Sequence, residues 1–185
     1  MYLSRVQLNA LDRTHLSILS DCYESHKLVS SACGSGRNGT RVLFRPEVPE
    51  GPVAPLLVQS EDEPDWDRPR RELGVTVKAE YKEFELPNLS PGSRLRFRLR
   101  ANPVKTIRGG KTEAVDHSGQ PKRIRVPLKR ENKQRAWLER KLGQAGAALE
   151  GVLVQDEGEV SGRRKPTGTP LTFYSVRFDG SLIVK

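Results

Sequence analysis

The sequence predicts an α+β fold of two ferredoxin-like (βαββαβ) units in tandem, the second incomplete at its C-terminal end. Three observations lead there. Residues 1–86 run strand, helix, strand, strand, helix, strand. A turn-forming stretch, Pro87-Asn88-Leu89-Ser90-Pro91-Gly92, follows as a linker over 87–92. From residue 93 to Lys185 the same order restarts, then stops before a last helix and strand.

The first strand is Tyr2–Leu8, apolar mostly at alternate positions in its later part. Asp12 is placed to cap a single helical stretch reaching about Ala32. Leu16, Leu19, Cys22 and Tyr23 would form its inward stripe, and Gly34-Ser35-Gly36 would end it. Arg41–Phe44 and Pro55–Gln59 read as the next two strands. An acidic segment at Asp62–Asp67 leads to a short helix at Arg68–Leu73, and Val75–Tyr81 closes the unit. In the second half a long strand opens at Arg94 and a helix covers about Glu131–Ala145. Strands follow near Gly151–Gln155 and Leu171–Phe178.

The chain of 185 residues is long enough for a hydrophobic core, and a mean hydropathy of -0.61 fits a soluble protein. The opening residues alternate rather than forming a signal-peptide core, and no run approaches the roughly 18 apolar residues of a membrane span. A cytoplasmic protein is expected. Cys22 and Cys33, eleven residues apart, lie about 16 Å from each other along a common helix. A disulfide is therefore excluded there, and the spacing matches no zinc motif. Neither a metal nor an organic cofactor is expected.

Charge is distributed unevenly. Residues 1–93 carry 11 basic and 14 acidic residues, residues 94–141 carry 16 and 4, and residues 142–185 carry 5 and 5. All the excess positive charge thus sits in one central segment. Such a tract favours a polyanion, because each neutralised phosphate releases a condensed counterion. No apolar amphipathic helix accompanies it, which disfavours a membrane surface.

Within this segment Arg94-Leu95-Arg96-Phe97-Arg98-Leu99-Arg100 alternates with the period of a strand. Leu95, Phe97 and Leu99 would face a core; Arg94, Arg96, Arg98 and Arg100 would line the other face, about 7 Å apart, close to the phosphate spacing of a nucleic acid strand. No acidic residue lies within the strand, although such alternation also fits a solvated sheet face. A second basic group, Gly162-Arg163-Arg164-Lys165-Pro166-Thr167-Gly168, lies between two predicted strands. As a hairpin tip it suits the groove of an RNA duplex; as a loop it would be merely basic.

Three histidines are present: His15, His26 and His117. Tyr23 and His26 stand at i and i+3, neighbours on one helix face, and Lys27 follows. That grouping suits RNA cleavage by the ribose 2′-hydroxyl. Histidine moves a proton, tyrosine orients the reacting group, and lysine offsets charge on the phosphate oxygens. A packing tyrosine beside an exposed histidine is the competing reading. No carboxylate cluster, histidine pair at metal-ligand spacing, phosphate-binding glycine loop or nucleophile elbow accompanies them.

The run Gly92-Ser93-Arg94-Leu95-Arg96-Phe97-Arg98-Leu99-Arg100-Ala101-Asn102-Pro103-Val104-Lys105-Thr106 resembles the CasE family of CRISPR-associated endoribonucleases. Met1–Val6, Arg125–Leu128 and Ala136–Gly143 agree with it in order, and Tyr23 and His26 match the family's catalytic tyrosine and histidine. The resemblance covers nearly the whole chain. It implies metal-independent cleavage of CRISPR precursor RNA at the 3′ base of the repeat stem-loop, leaving a 2′,3′-cyclic phosphate and a 5′-hydroxyl. It further implies retention of the guide RNA within the type I-E Cascade complex, so the expected partners are repeat RNA and the other Cascade subunits. The free protein is expected to be monomeric and not bound to membrane. Expected site residues are Tyr23, His26 and Lys27 for chemistry, with Arg94, Arg96, Arg98, Arg100, Lys105, Arg163, Arg164 and Lys165 for RNA. Family members usually end with a glycine-rich loop, before which this sequence stops. The rivals are a non-catalytic RNA-binding module and a structural subunit of a ribonucleoprotein. The usual RNA-recognition strand carries glycine and aromatic residues where this one carries arginines.

Overall fold

A computed structural model describes residues 1–34, 41–85, 87–108, 123–164 and 168–185. The chain divides into two compact units, Met1–Pro87 with Val160–Thr172, and Asn88–Glu159 with Phe173–Lys185.

In the first unit the elements are β1 (Tyr2–Asn9), α1 (Arg13–Ser20), α2 (Cys22–Cys33), β2 (Val42–Pro46), β3 (Val53–Ser60), α3 (Arg68–Leu73) and β4 (Lys78–Glu83). The antiparallel sheet has the order β2-β3-β1-β4, as a βαββαβ unit requires. Register follows the two-residue period of β1: Ser4, Val6 and Leu8 point inward and are almost wholly buried, with Val6 opposite Leu56 on one side and Ala79 on the other. Val29, Ala32 and Cys33 of α2 pack on Val6, Leu56 and Val58, while Ile18 and Leu28 pack on Leu8, Ala54 and Val75.

Two sequence expectations change here. The single helix from Asp12 is two helices, because Asp21 adopts an extended backbone (φ -123, ψ 114) that ends α1 and caps α2. The break shifts the phase of the buried face. Ile18 is buried and Leu16 is left 52% exposed, so the inward stripe is not the one that continuous periodicity gives. The last strand begins at Lys78 rather than Val75. Val75 instead fills the core after the left-handed Gly74, and the Thr76 carbonyl bonds the His15 side chain.

The second unit contains β5 (Arg94–Ala101), β6 (Val104–Arg108), β7 (Arg123–Pro127), α4 (Glu131–Gln144), β8 (Ala147–Arg164) and β9 (Thr169–Val184); the tip of the β8–β9 pair belongs to the first unit. Its three-stranded sheet has the order β5-β9-β8, and β6 and β7 form a separate antiparallel pair. With α4 between β5 and β8, these are the first four elements of a second βαββαβ unit. The fold is thus α+β with ferredoxin-like arrangements in tandem. Leu138, Val176 and Phe178 form the buried centre, and Trp137 stacks on Phe178 with ring centroids 6.2 Å apart. Gly180 is required by close approach: a Cβ there would lie 2.4 Å from the Gly151 carbonyl oxygen and 3.0 Å from the Phe97 ring.

Candidate functional site

The N-terminus of α2 organises the site. Asp21 caps the helix through Oδ1, which accepts from the Tyr23 N–H at 2.8 Å and the Glu24 N–H at 3.3 Å. Ser25 Oγ donates to the Ile18 carbonyl at 2.6 Å and ties the two helices together. Ser25, Leu28, Val29, Ala32 and Cys33 form the buried face, and Gly34 closes the helix in the left-handed region at φ 67. This leaves Tyr23 half-buried and His26 and Lys27 exposed.

The imidazole of His26 stands on the surface, Nδ1 3.2 Å from Ser30 Oγ one turn along and its ring edge-on to Phe44 of β2 at 6.4 Å. Lys27 points elsewhere. It lies 4.0 Å from Glu24 and lines a groove of about 330 Å³ with Arg13, Thr14, Ser17 and Leu73. The neighbouring positions 26 and 27 therefore serve different surroundings.

The basic hairpin reaches this helix within the same unit. The Arg163 N–H donates to Asp21 Oδ2 at 3.1 Å, and Gly162 is buried against the cap. A Cβ at Gly162 would lie 2.5 Å from Asp21 Oδ1, 2.7 Å from Cys22 Sγ and 2.9 Å from the Tyr23 nitrogen. Burial, and then the Asp21 carboxylate, push the Cys22 thiol above its ordinary range. The Arg163 side chain is exposed, whereas the Arg164 side chain and all of Lys165 lie outside the described residues.

In the second unit, the row of arginines on β5 is not the unrelieved line of cations that its local sequence suggests. Arg94 bonds Glu150 at 2.9 Å, Arg98 bonds Asp179, and Arg100 bonds Glu157 and Ser175 Oγ. The acids come from β8 and β9, 56 and more residues away in the chain. Hydrogen bonds from Arg98, and then Arg177, hold the Asp179 carboxyl below the usual carboxylate range. Among the described residues Arg96 is the one arginine of the four with no carboxylate in ion-pair range; it is exposed opposite Ser181. Lys105 is exposed on β6.

Of the other histidines, His117 lies outside the described residues. His15 has both ring nitrogens engaged: Nδ1 accepts from the Asn9 N–H and Nε2 donates to the Thr76 carbonyl, each at 3.0 Å. It rivets the end of β1 to the approach to β4. No cluster able to hold a metal ion occurs among the described residues, and no helix among them is long and apolar enough to cross a membrane. Sequence reasoning missed Asp21 and Gly162. The signal for Asp21 was the Ser20-Asp21 pair, a capping signature inside an apparent helix; Gly162 had none.

Known proteins match this arrangement along its whole length. The family model described as "CRISPR associated protein" matches residues 1–185. The CRISPR-associated endoribonuclease Cse3 of Thermus thermophilus is 36% identical over 200 residues, covering 100% of this chain and 86% of the relative. The CRISPR system Cascade subunit CasE of Escherichia coli is 47% identical over 73 residues, 40% of this chain and 35% of that protein. A solved structure of CRISPR endoribonuclease Cse3 bound to 19 nt RNA superposes with a TM-score of 0.75 at 33% identity, covering 100% of this chain and 86% of that one. The residues that carry the sequence resemblance, the sheet topology and these matches agree: the chain belongs to the CasE family of CRISPR-associated proteins.

Proposed function

We propose that this chain is a metal-independent, site-specific endoribonuclease that cuts CRISPR precursor RNA at the repeat stem-loop. It then remains with the guide RNA as a Cascade subunit in the cytoplasm. The ribose 2′-hydroxyl attacks the adjacent phosphorus and the P–O5′ bond breaks, giving a 2′,3′-cyclic phosphate and a 5′-hydroxyl. The hydroxyl loses one proton and the leaving oxygen gains one. His26 moves a proton in this exchange, a contribution of about 10²–10⁴-fold for a well-placed side chain. Tyr23 orients the reacting ribose-phosphate, and Lys27, its side chain half-exposed and 4.0 Å from Glu24, turns from its groove to offset charge on the phosphate. Residues 1–86 form the domain that carries this helix, 87–92 the linker, and 93–185 the domain that carries the RNA-binding face. Arg94, Arg96, Arg98, Arg100, Lys105, Arg163, Arg164 and Lys165 hold the backbone, and Arg94, Arg96, Arg98, Lys105 and Arg163 are exposed.

The observation that carries the reading is the surface position of His26, one turn from Tyr23, on a helix whose N-terminus holds the basic hairpin. The test is incubation with the repeat hairpin in EDTA. Cleavage should persist there, vanish with a 2′-deoxy nucleotide at the cut site, and vanish in His26→Ala while RNA binding remains. Cutting that survives both changes would refute the mechanism.

A further inference from the structure

We infer that Asp21 is a positioning residue: its carboxylate locks the basic hairpin at Gly162-Arg163 onto the N-terminus of α2, so that RNA gripped by the hairpin is registered against Tyr23 and His26. The inference rests on the endoribonuclease reading and adds to it a part that neither touches substrate nor moves a proton.

The geometry is that of a two-sided clasp. Oδ1 of Asp21 serves the helix and accepts from Tyr23 and Glu24; Oδ2 serves the hairpin and accepts from the Arg163 N–H. One carboxylate therefore fixes both the start of the helix bearing Tyr23 and the strand end bearing Arg163. An acid beside an RNA site would ordinarily repel phosphate. This one faces backbone N–H groups and the positive end of a helix dipole, which offset its charge locally. Gly162 supplies the fit. It is buried, and any side chain there would overlap the Asp21 carboxylate, Cys22 Sγ and the Tyr23 nitrogen. The approach is backbone to helix cap, with no room for a methyl group.

Docking matters for chemistry because a misplacement of about 1 Å can cost roughly 10²-fold in rate. Binding is less sensitive, since phosphate contacts are electrostatic and tolerate displacement.

Two variants separate these effects. Asp21→Asn keeps an oxygen to cap α2, where asparagine and aspartate are comparable, but turns an N–H donor toward the Arg163 N–H. Gly162→Ala leaves the cap and places a methyl group in the interface. Three readouts are taken on each: single-turnover cleavage of repeat RNA, its affinity, and the rate at which a thiol reagent modifies Cys22. Cys22 is half-exposed under the hairpin and Cys33 is buried as an internal reference. The expected result in both variants is faster Cys22 modification, cleavage slowed about 10²-fold, and affinity within about threefold of wild type. Unchanged Cys22 reactivity, unchanged cleavage, or affinity falling as far as the rate would overturn the inference while wild-type cutting upholds the enzyme reading. Wild-type protein that leaves the repeat uncut, or His26→Ala that cuts normally, would overturn both.

Discussion

Ser30 Oγ lies 3.2 Å from His26 Nδ1, one turn further along α2, on the exposed side of the helix. The imidazole also meets the Phe44 ring in a T-shaped arrangement at 6.4 Å, so two contacts support its placement. A general acid or base gains from such support because only the correctly turned ring reaches the proton.

Replacing Ser30 by alanine should slow cleavage about fivefold, matching the ~1 kcal/mol net worth of one hydrogen bond. RNA affinity should not change. Single-turnover rates beside filter binding decide this, and Ser30→Thr, which retains a hydroxyl, should recover most of the rate. Equal rates for the alanine and threonine variants would remove Ser30 from the site.

The opposite behaviour is expected of His15. Its ring bonds the Asn9 N–H and the Thr76 carbonyl, so its service is to the sheet. His15→Ala should lower unfolding stability by about 1–2 kcal/mol and leave cleavage at a temperature well below the melting transition unchanged. Denaturant unfolding paired with the cleavage assay makes the comparison. Loss of cleavage without loss of stability would make His15 a catalytic candidate.

The contrast between His15 and His26 marks how far the sequence could be read. Local patterns located β1, β3, α3 and α4 because their periodicity and caps lie within a few residues of one another. The paired strands β6 and β7 went unread, although Ile124 and Val126 alternate with arginines, because strands this short depend on a partner many residues away. The acids that neutralise Arg94, Arg98 and Arg100 were invisible for the same reason: Glu150, Asp179 and Glu157 meet them through sheet register. The seat for Gly162 on α2 is likewise tertiary and has no counterpart in local spacing.

Asp179 makes acid stability a test of that ion-pair ladder. Bonds from Arg98 and Arg177 lower its folded pKa below the unfolded value of about 3.9. In acid the unfolded chain therefore binds the proton more readily, so this contribution is complete above about pH 4 and disappears as pH falls through the folded value. The melting temperature of wild type should exceed that of Asp179→Asn near pH 6, with the gap closing below pH 4. A gap that widened in acid would contradict the pairing.

Arg96 and Arg100 stand on the same face of β5 yet should fail differently when removed. Arg100 is held by Glu157 and Ser175, so Arg100→Ala leaves a half-buried carboxylate without its guanidinium; stability should fall by about 1–3 kcal/mol. Arg96 is exposed and, among the described residues, has no acid to satisfy. Arg96→Ala should therefore leave stability within about 0.5 kcal/mol of wild type. Its effect belongs to RNA: affinity should fall, and the slope of log affinity against log salt should flatten by about one counterion. Titrations at several salt concentrations beside thermal melts resolve the two. If Arg96→Ala left the salt slope unchanged, its guanidinium would be a solvated ornament of the sheet, and the phosphate contact would have to be sought at Lys105 or Arg163.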